Sequence, residues 1–212
     1  MKKLIILIPF LNFYSVAFSQ KLAVSCDKNN VLYIGVDNPI TVAAANLSSD
    51  QIIVKAENGN IEGSDGRYFF RGTEPGSTYI IVYKKSTLEK IGSWSFRLRY
   101  IPDPVAKVGP WGNDNARARA IVLKSQYWIR ADLEDFDYEA TFRVDSFTLN
   151  IFYQDSCIIK EVFNVGNKFN DKVSEALKTI KNGDIVIFKK IYVTGPDRRR
   201  RLISPLVLSI TD

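Results

Sequence analysis

The chain has 212 residues, of which 46% are hydrophobic and 25% charged, and a formal net charge of +6. This composition excludes a disordered or fibrous protein, and at ~150 residues per domain the length predicts one or two domains. There is no histidine and there are only two cysteines. These counts exclude histidine-based acid–base chemistry, Ser-His-Asp and Cys-His catalysis, most zinc sites and Cys-only metal sites.

The N-terminal segment has the pattern of an export signal. A pair of lysines precedes the apolar stretch 4–13, and Ala17 and Ser19 place small residues at the two positions that a signal peptidase reads. The apolar stretch is shorter than the ~20 residues that a membrane-spanning helix needs. We therefore expect residues 1–19 to be a cleaved signal peptide, and the mature chain to start at Gln20 in the periplasm.

Both cysteines would lie in an oxidising compartment if the chain is exported. A disulfide between Cys26 and Cys157 and two separate thiols are both open, because sequence spacing does not fix disulfide geometry. Cys26 also ends a partial lipobox match, so a lipid-anchored or extracellular protein is the alternative to a periplasmic one. No later segment is apolar enough to span a membrane. Removing the signal's two lysines from +6 leaves +4, a charge too scattered to predict nucleic-acid binding.

Residues 20–100 predict a first domain of about seven short strands, separated by turn residues and without a helical pattern. Asn58-Gly59 is the strongest short hairpin signal among these turns. Near the end of the domain Trp94, Phe96, Leu98 and Tyr100 alternate with Ser95, Arg97 and Arg99, which predicts one buried face with Trp94 and Phe96 in the core. The strand spacing is typical of an immunoglobulin-like β-sandwich.

Pro102-Asp103-Pro104 marks an interdomain linker, assigned to residues 101–109. Two prolines fix φ and keep the residues before them extended, so we expect a short, stiff connection that sets the angle between the domains. Residues 110–212 then predict a second, mainly β domain with one or two short helices.

Two helices and a bulge are predicted in the second domain. Residues 113–124 are rich in alanine, which favours a helix. A clearer helix lies near 170–181, where Asn170 is the expected N-cap and apolar residues recur on one face. A one-residue change of phase at Asp145-Ser146 predicts a β-bulge.

A run of four arginines follows a Gly-Pro-Asp turn: Arg198, Arg199, Arg200 and Arg201. Guanidinium groups bind carboxylates and phosphates, so this run is the predicted partner-binding site. The alternative is a solvated hairpin tip, which is the usual role of a charge run.

An acidic segment carries Glu134, Asp135, Asp137 and Glu139, interleaved with Phe136 and Tyr138. A calcium site or a carboxylate pair for glycoside chemistry would use such residues. The alternative is an ordinary alternating segment, with its charged side chains outward and its aromatic side chains inward. The sequence lacks an Asp-x-Asp-x-Asp-Gly loop, which favours this alternative over a calcium site. We predict no catalytic residue, no metal and no cofactor; Glu134 and Asp137 are the carboxylates to test if the chain is an enzyme.

Several segments together resemble the C-terminal periplasmic domains of the GldM (PorM) family, the gliding-motility and type IX secretion proteins of Bacteroidetes. The matching segments are residues 31–39, 96–109, 133–138, 142–144, 146–149, Ile180, 183–188 and 193–197. The likeness extends from about Val31 through nearly all of the mature chain.

The resemblance implies two β-domains, the first immunoglobulin-like, without catalytic residues. In GldM these domains form the distal end of a dimeric periplasmic shaft, anchored in the inner membrane beside GldL, that is thought to transmit proton-driven motion to an outer-membrane ring. Here a cleavable signal stands where GldM has its membrane anchor, so we do not expect this chain to couple to the proton current itself.

We therefore expect an exported, non-enzymatic module that binds envelope proteins, including secretion-ring components, with a homodimer left open. An adhesin-like or glycan-binding β-sandwich is the alternative, because such sandwiches carry many unrelated binding sites.

Overall fold

The computed structural model describes residues 22–27, 31–112, 116–155 and 159–212. The expected signal peptide 1–19 and Cys157 lie outside these residues. No helix within them is long and apolar enough to cross a membrane. The described chain is mainly β, with two short α-helices, and the predicted β-sandwich-like class is confirmed.

Eight strands build an N-terminal sandwich (residues 22–99): β1 (Leu22–Cys26), β2 (Val31–Tyr33), β3 (Asn38–Ala44), β4 (Ile52–Ala56), β5 (Asn60–Ser64), β6 (Arg67–Arg71), β7 (Gly76–Lys84) and β8 (Lys90–Arg99). They form two four-stranded sheets, ordered β1-β3-β6-β5 and β2-β8-β7-β4. If β1 and β2 are counted as one strand divided between the sheets, this is the ABED and CFG order of an immunoglobulin domain.

The hairpin prediction at Asn58-Gly59 is wrong. Strand β4 pairs with β7 and β5 pairs with β6, so this turn carries the chain from one sheet to the other. The Asn58 side-chain amide explains why the chain passes between the sheets here, because it donates to the Glu74 carbonyl (3.0 Å) and accepts from the Thr73 hydroxyl (2.9 Å). These bonds hold the turn against the connection between β6 and β7 rather than within a hairpin.

The buried face predicted near the end of the sandwich is confirmed for two residues and wrong for two. Phe96 and Leu98 are buried in the core of the sandwich. Trp94 is 38% exposed and Tyr100 is 37% exposed, so the prediction that they lie on the buried face is wrong. Trp94 pairs with the fully buried Ile80, two residues from the register shift between Val82 and Tyr83.

The remaining elements form a C-terminal unit (residues 105–211): β9 (Val105–Lys107), β10 (Ala116–Arg119), α1 (Ala120–Lys124), β11 (Arg130–Asp132), β12 (Arg143–Phe152), β13 (Ile159–Val165), α2 (Asp171–Lys178), β14 (Ile185–Thr194), β15 (Arg200–Ile203) and β16 (Leu206–Thr211). One sheet has the order β10-β16-β14-β12-β13, with β15 paired to β14, and β9 pairs with β11 separately. A second hydrophobic cluster lies between the large sheet and α2.

Helix α2 and the bulge confirm the local predictions. The Asn170 side chain accepts from the Val173 backbone N–H at 2.9 Å, so Asn170 is the N-cap. The register between β12 and β14 shifts between Val144 and Ser146, at the predicted bulge. In contrast, the helix predicted over 113–124 is wrong for residues 116–119, which form β10, and the part of this range seen as helical in the described chain is Ala120–Lys124.

Strand β10 explains that error. Its four residues pair in parallel with β16, and Ala118 is fully buried while Arg117 and Arg119 are exposed. This alternation of buried and exposed residues is the pattern of a strand with one buried face. The pairing with β16 therefore outweighs the small helix preference of alanine. Residues 113–115, where the N-cap of the predicted helix would lie, are outside the described segments.

Candidate functional site

The turn between β2 and β3 lies against the C-terminal unit, and the Asn38 side chain holds its shape. The Asn38 amide is fully buried. Its oxygen accepts from the Tyr33 backbone N–H (2.7 Å), and its nitrogen lies 2.8, 3.1 and 3.0 Å from the carbonyl oxygens of Tyr33, Val36 and Phe70. One side chain therefore replaces the backbone pairing that the turn lacks.

Gly35, in the middle of this turn, lies directly against the loop between β14 and β15. Its φ is +87°, and a Cβ atom built there would lie 2.5 Å from the Asp197 backbone nitrogen and 2.7 Å from the Pro196 carbonyl carbon. Contacts this short to backbone leave no room for a side chain. Glycine is required here both by the conformation and by the close approach.

Three aromatic rings form a second contact between the two units. The Tyr33 ring lies 4.9 Å from Phe136 and 5.4 Å from Tyr138, edge to face in both cases. The Tyr138 hydroxyl donates to the Val31 carbonyl (3.4 Å) and lies 3.7 Å from the Cys26 sulfur. Burial, and then the Cys26 contact, raises the pKa of Tyr138, so its hydroxyl remains a neutral donor.

The acidic segment is arranged as the alternating pattern predicts. Its four carboxylates are exposed, whereas Tyr138 is buried and Phe136 half-buried at the junction. Glu134 makes an ion pair with Lys107 at 3.2 Å. No cluster of side chains that could hold a metal ion occurs in the described part of the chain.

Arg201, in β15, binds the linker to the C-terminal unit. Its Nη1 donates to the Ile101 carbonyl (2.8 Å), the Pro102 carbonyl (3.0 Å) and the Asp103 carboxylate (3.2 Å). Its Nη2 pairs with Asp197, whose side chain is fully buried. The predicted linker Pro102-Asp103-Pro104 is thus fixed by hydrogen bonds as well as by proline.

Of the four predicted partner-binding arginines, Arg198, Arg199 and Arg200 are exposed and Arg201 is buried. Arg201 is buried inside the chain and is unavailable to a partner, since its guanidinium is occupied by the linker and Asp197. Arg199 stacks at 4.0 Å on Tyr100. Arg200 lies 4.2 Å over Tyr192, while Arg198 is exposed at the tip of the loop.

Sequence reasoning missed the residues that build the junction, although weak signals existed. A glycine inside the apolar run 31–36, where a strand is expected to continue, suggests a turn or a close backbone approach. Asn38 precedes a proline, a combination typical of turns. Neither signal identifies the surface that the turn contacts, because that surface is more than 100 residues away.

We expect Asn38→Ala to destabilise the protein by about 3 kcal/mol, because several buried backbone groups lose their hydrogen-bond partner together. Urea unfolding followed by tryptophan fluorescence measures this loss. Asn60→Ala is the control, since the exposed Asn60 side chain bonds only to Glu62 among the described residues, and should change stability by less than ~0.5 kcal/mol. Equal effects of the two changes would contradict the role given to Asn38.

Comparison with known proteins identifies the family of both parts. A family model described as the GldM third domain matches residues 21–99, and one described as the GldM C-terminal domain matches residues 102–211. No curated protein matches the sequence significantly.

Similarity to solved structures is low. The adhesin InvE of Yersinia pseudotuberculosis has 9% identity and a TM-score of 0.28, covering 89% of this chain. The chain spans 58% of the InvE structure. Domains 6–7 of the surface layer protein SbsC have 13% identity and a TM-score of 0.31, with 91% of this chain and 99% of that one covered. Likeness at this level indicates nothing about activity or partners.

The C-terminal model alone covers more than half of the chain, and the third-domain model covers most of the remainder in the same order. The chain therefore belongs to the GldM family and contains its third and C-terminal domains in tandem.

Proposed function

We propose that the chain is an exported, non-enzymatic protein-binding module that docks to envelope components of the gliding or type IX secretion machinery. The observation that carries the proposal is the packed junction between two GldM-family domains. A turn and an aromatic cluster join the domains, and a buried arginine fixes the linker between them, so the pair presents its surfaces to a partner at a fixed angle. Fixed surfaces lower the ordering cost of binding.

The proposed location is the periplasm, reached by a cleaved signal peptide. The family assignment supports this location, because GldM C-terminal domains are periplasmic. The lack of histidine and the exposed, partly ion-paired state of the acidic segment support a non-enzymatic role. If the chain were a carboxylate enzyme, Glu134→Ala or Asp137→Ala would abolish its activity.

Cross-linking in the native envelope tests this function. The full chain with a C-terminal affinity tag is expressed in its own host, cross-linked in intact cells and purified, and the captured proteins are identified by mass spectrometry. We expect enrichment of secretion-ring components or of GldM over the proteins captured by an unrelated exported protein with the same tag. Recovery of only unrelated proteins would contradict the secretion role.

Glycan binding is a second candidate, favoured by one exposed aromatic pair. Tyr127 is 63% exposed and stacks on Trp128 at 5.4 Å, with 25° between the rings. Aromatic faces of this kind bind sugar rings in other proteins. If the chain binds glycans here, titration with purified cell-surface polysaccharide should show saturable binding that Tyr127→Ala removes.

A further inference from the structure

We propose that a groove between β11 and the chain leading into β12 binds an extended peptide segment of a partner protein, with a basic side chain placed over Glu139. This inference rests on the proposed function, because it names the kind of segment that the docking module takes. Three features of the groove support it: its shape, its unpaired backbone and one uncompensated carboxylate.

The groove is a concave surface of the C-terminal unit that is open to solvent. It encloses about 680 Å³, with residues 129–133 along one side and residues 139–144 along the other. This volume is within the ~300–1,000 Å³ range of ligand sites. Because its lining includes the strand β11 and the chain entering β12, an extended peptide can lie alongside backbone in this groove.

Both walls offer backbone groups for hydrogen bonding. Strand β11 pairs with β9 along one edge, and its other edge has no strand partner in the described chain. Arg143 and Val144, at the start of β12, likewise pair with β14 alone among the described strands. Residues 139–142 make no backbone hydrogen bond to any described residue. Such open edges accept an added strand, because main-chain bonds supply affinity without requiring a particular sequence.

The charges along the groove favour a basic side chain on the peptide. Arg130 is paired with Asp132 at 3.6 Å, and Arg143 is paired with Asp145 at 3.0 Å. Glu139 is exposed and has no ion pair with any described residue. Its carboxylate is therefore the charge that a lysine or arginine of the partner would neutralise.

Glu139 also joins this groove to a second one on the sandwich. That second groove has a volume of about 430 Å³ and includes Gly35, Pro39 and Phe69 in its lining, together with Glu139. Phe69 is 52% exposed there, and it offers an apolar contact to the part of the peptide that follows its basic residue. A peptide that crosses Glu139 would contact both domains, so its binding depends on the packed junction.

Selection from a phage-displayed library of random dodecapeptides tests the inference on the purified, tagged chain. We expect enriched peptides to carry lysine or arginine, and the synthesised lead peptide to bind at least about five-fold more weakly to Glu139→Gln and about ten-fold more weakly to Glu139→Lys. Glu89→Lys makes the same charge change on an exposed residue outside both grooves and should leave the affinity unchanged.

Hydrogen exchange provides the second readout. The bound lead peptide should protect the backbone amides of residues 139–142, and N-methylation of alternate amides of the peptide should abolish binding. Enrichment of acidic peptides, the absence of any enrichment, or an unchanged affinity for Glu139→Lys would overturn the inference. If Glu139→Lys still captures the envelope partners at the wild-type level, the proposed function stands and only the groove is excluded.

Discussion

Replacing Gly35 by alanine should open the junction between the two domains and destabilise the protein by about 3 kcal/mol, because strain at positive φ adds to a steric clash. The clash is with backbone atoms of the loop that contains Asp197, which cannot move aside as a flexible side chain could. The chain must therefore shift one domain relative to the other. Small-angle scattering should report a larger radius of gyration, and urea unfolding should report the lost stability.

Gly166→Ala is the matched control for this prediction. Gly166 also has positive φ, +76°, but a Cβ atom built there meets nothing within 4 Å. It should show only the backbone strain, roughly 1 kcal/mol, with an unchanged radius of gyration. If both variants behave alike, the close approach at Gly35 does not hold the domains together.

Arg201→Met should destabilise the protein by about 3–5 kcal/mol, since it leaves the fully buried Asp197 carboxylate without its cation. The linker carbonyls of Ile101 and Pro102 lose their donor in the same change. Limited proteolysis should then cut the linker faster than in the wild-type protein. Chemical unfolding measures the loss of stability directly.

Two further variants test whether the lost stability comes from the unpaired Asp197 carboxylate or from the loss of an arginine side chain. Arg198→Ala removes a neighbouring arginine that is exposed, and should change stability by less than ~0.5 kcal/mol. The double variant Asp197→Asn with Arg201→Met should be more stable than Arg201→Met alone, because the buried carboxylate is gone. A double variant less stable than the single one would show that the ion pair is not what Arg201 contributes.

Local patterns in the sequence predicted much of the fold. The N-cap at Asn170 and the bulge beside Ser146 depend on neighbouring residues, and the structure contains both. The alternation of Phe96 and Leu98 predicted their burial for the same reason. The order and spacing of the matching segments were sufficient to indicate the family from the sequence alone.

Contacts between distant residues account for what the sequence did not predict. The Asn58-Gly59 turn has hairpin chemistry, but hydrogen bonds to Thr73 and Glu74 direct it between sheets. Arg201 belongs to a run that is typical of solvated surface, yet it is buried because Asp197 and the linker carbonyls surround it. Which of the four arginines is buried depends on the tertiary fold, so it cannot be predicted from the run of arginines alone.

Docking to envelope proteins, as proposed, requires the two domains to act as one rigid body. Quantitative cross-linked capture from cells that express the tagged wild-type chain, Gly166→Ala or Gly35→Ala at equal levels tests this most directly. We expect the wild-type chain and Gly166→Ala to capture equal amounts of secretion-ring components, and Gly35→Ala to capture several-fold less. Equal capture by all three would contradict the proposal, because docking would then not depend on the junction.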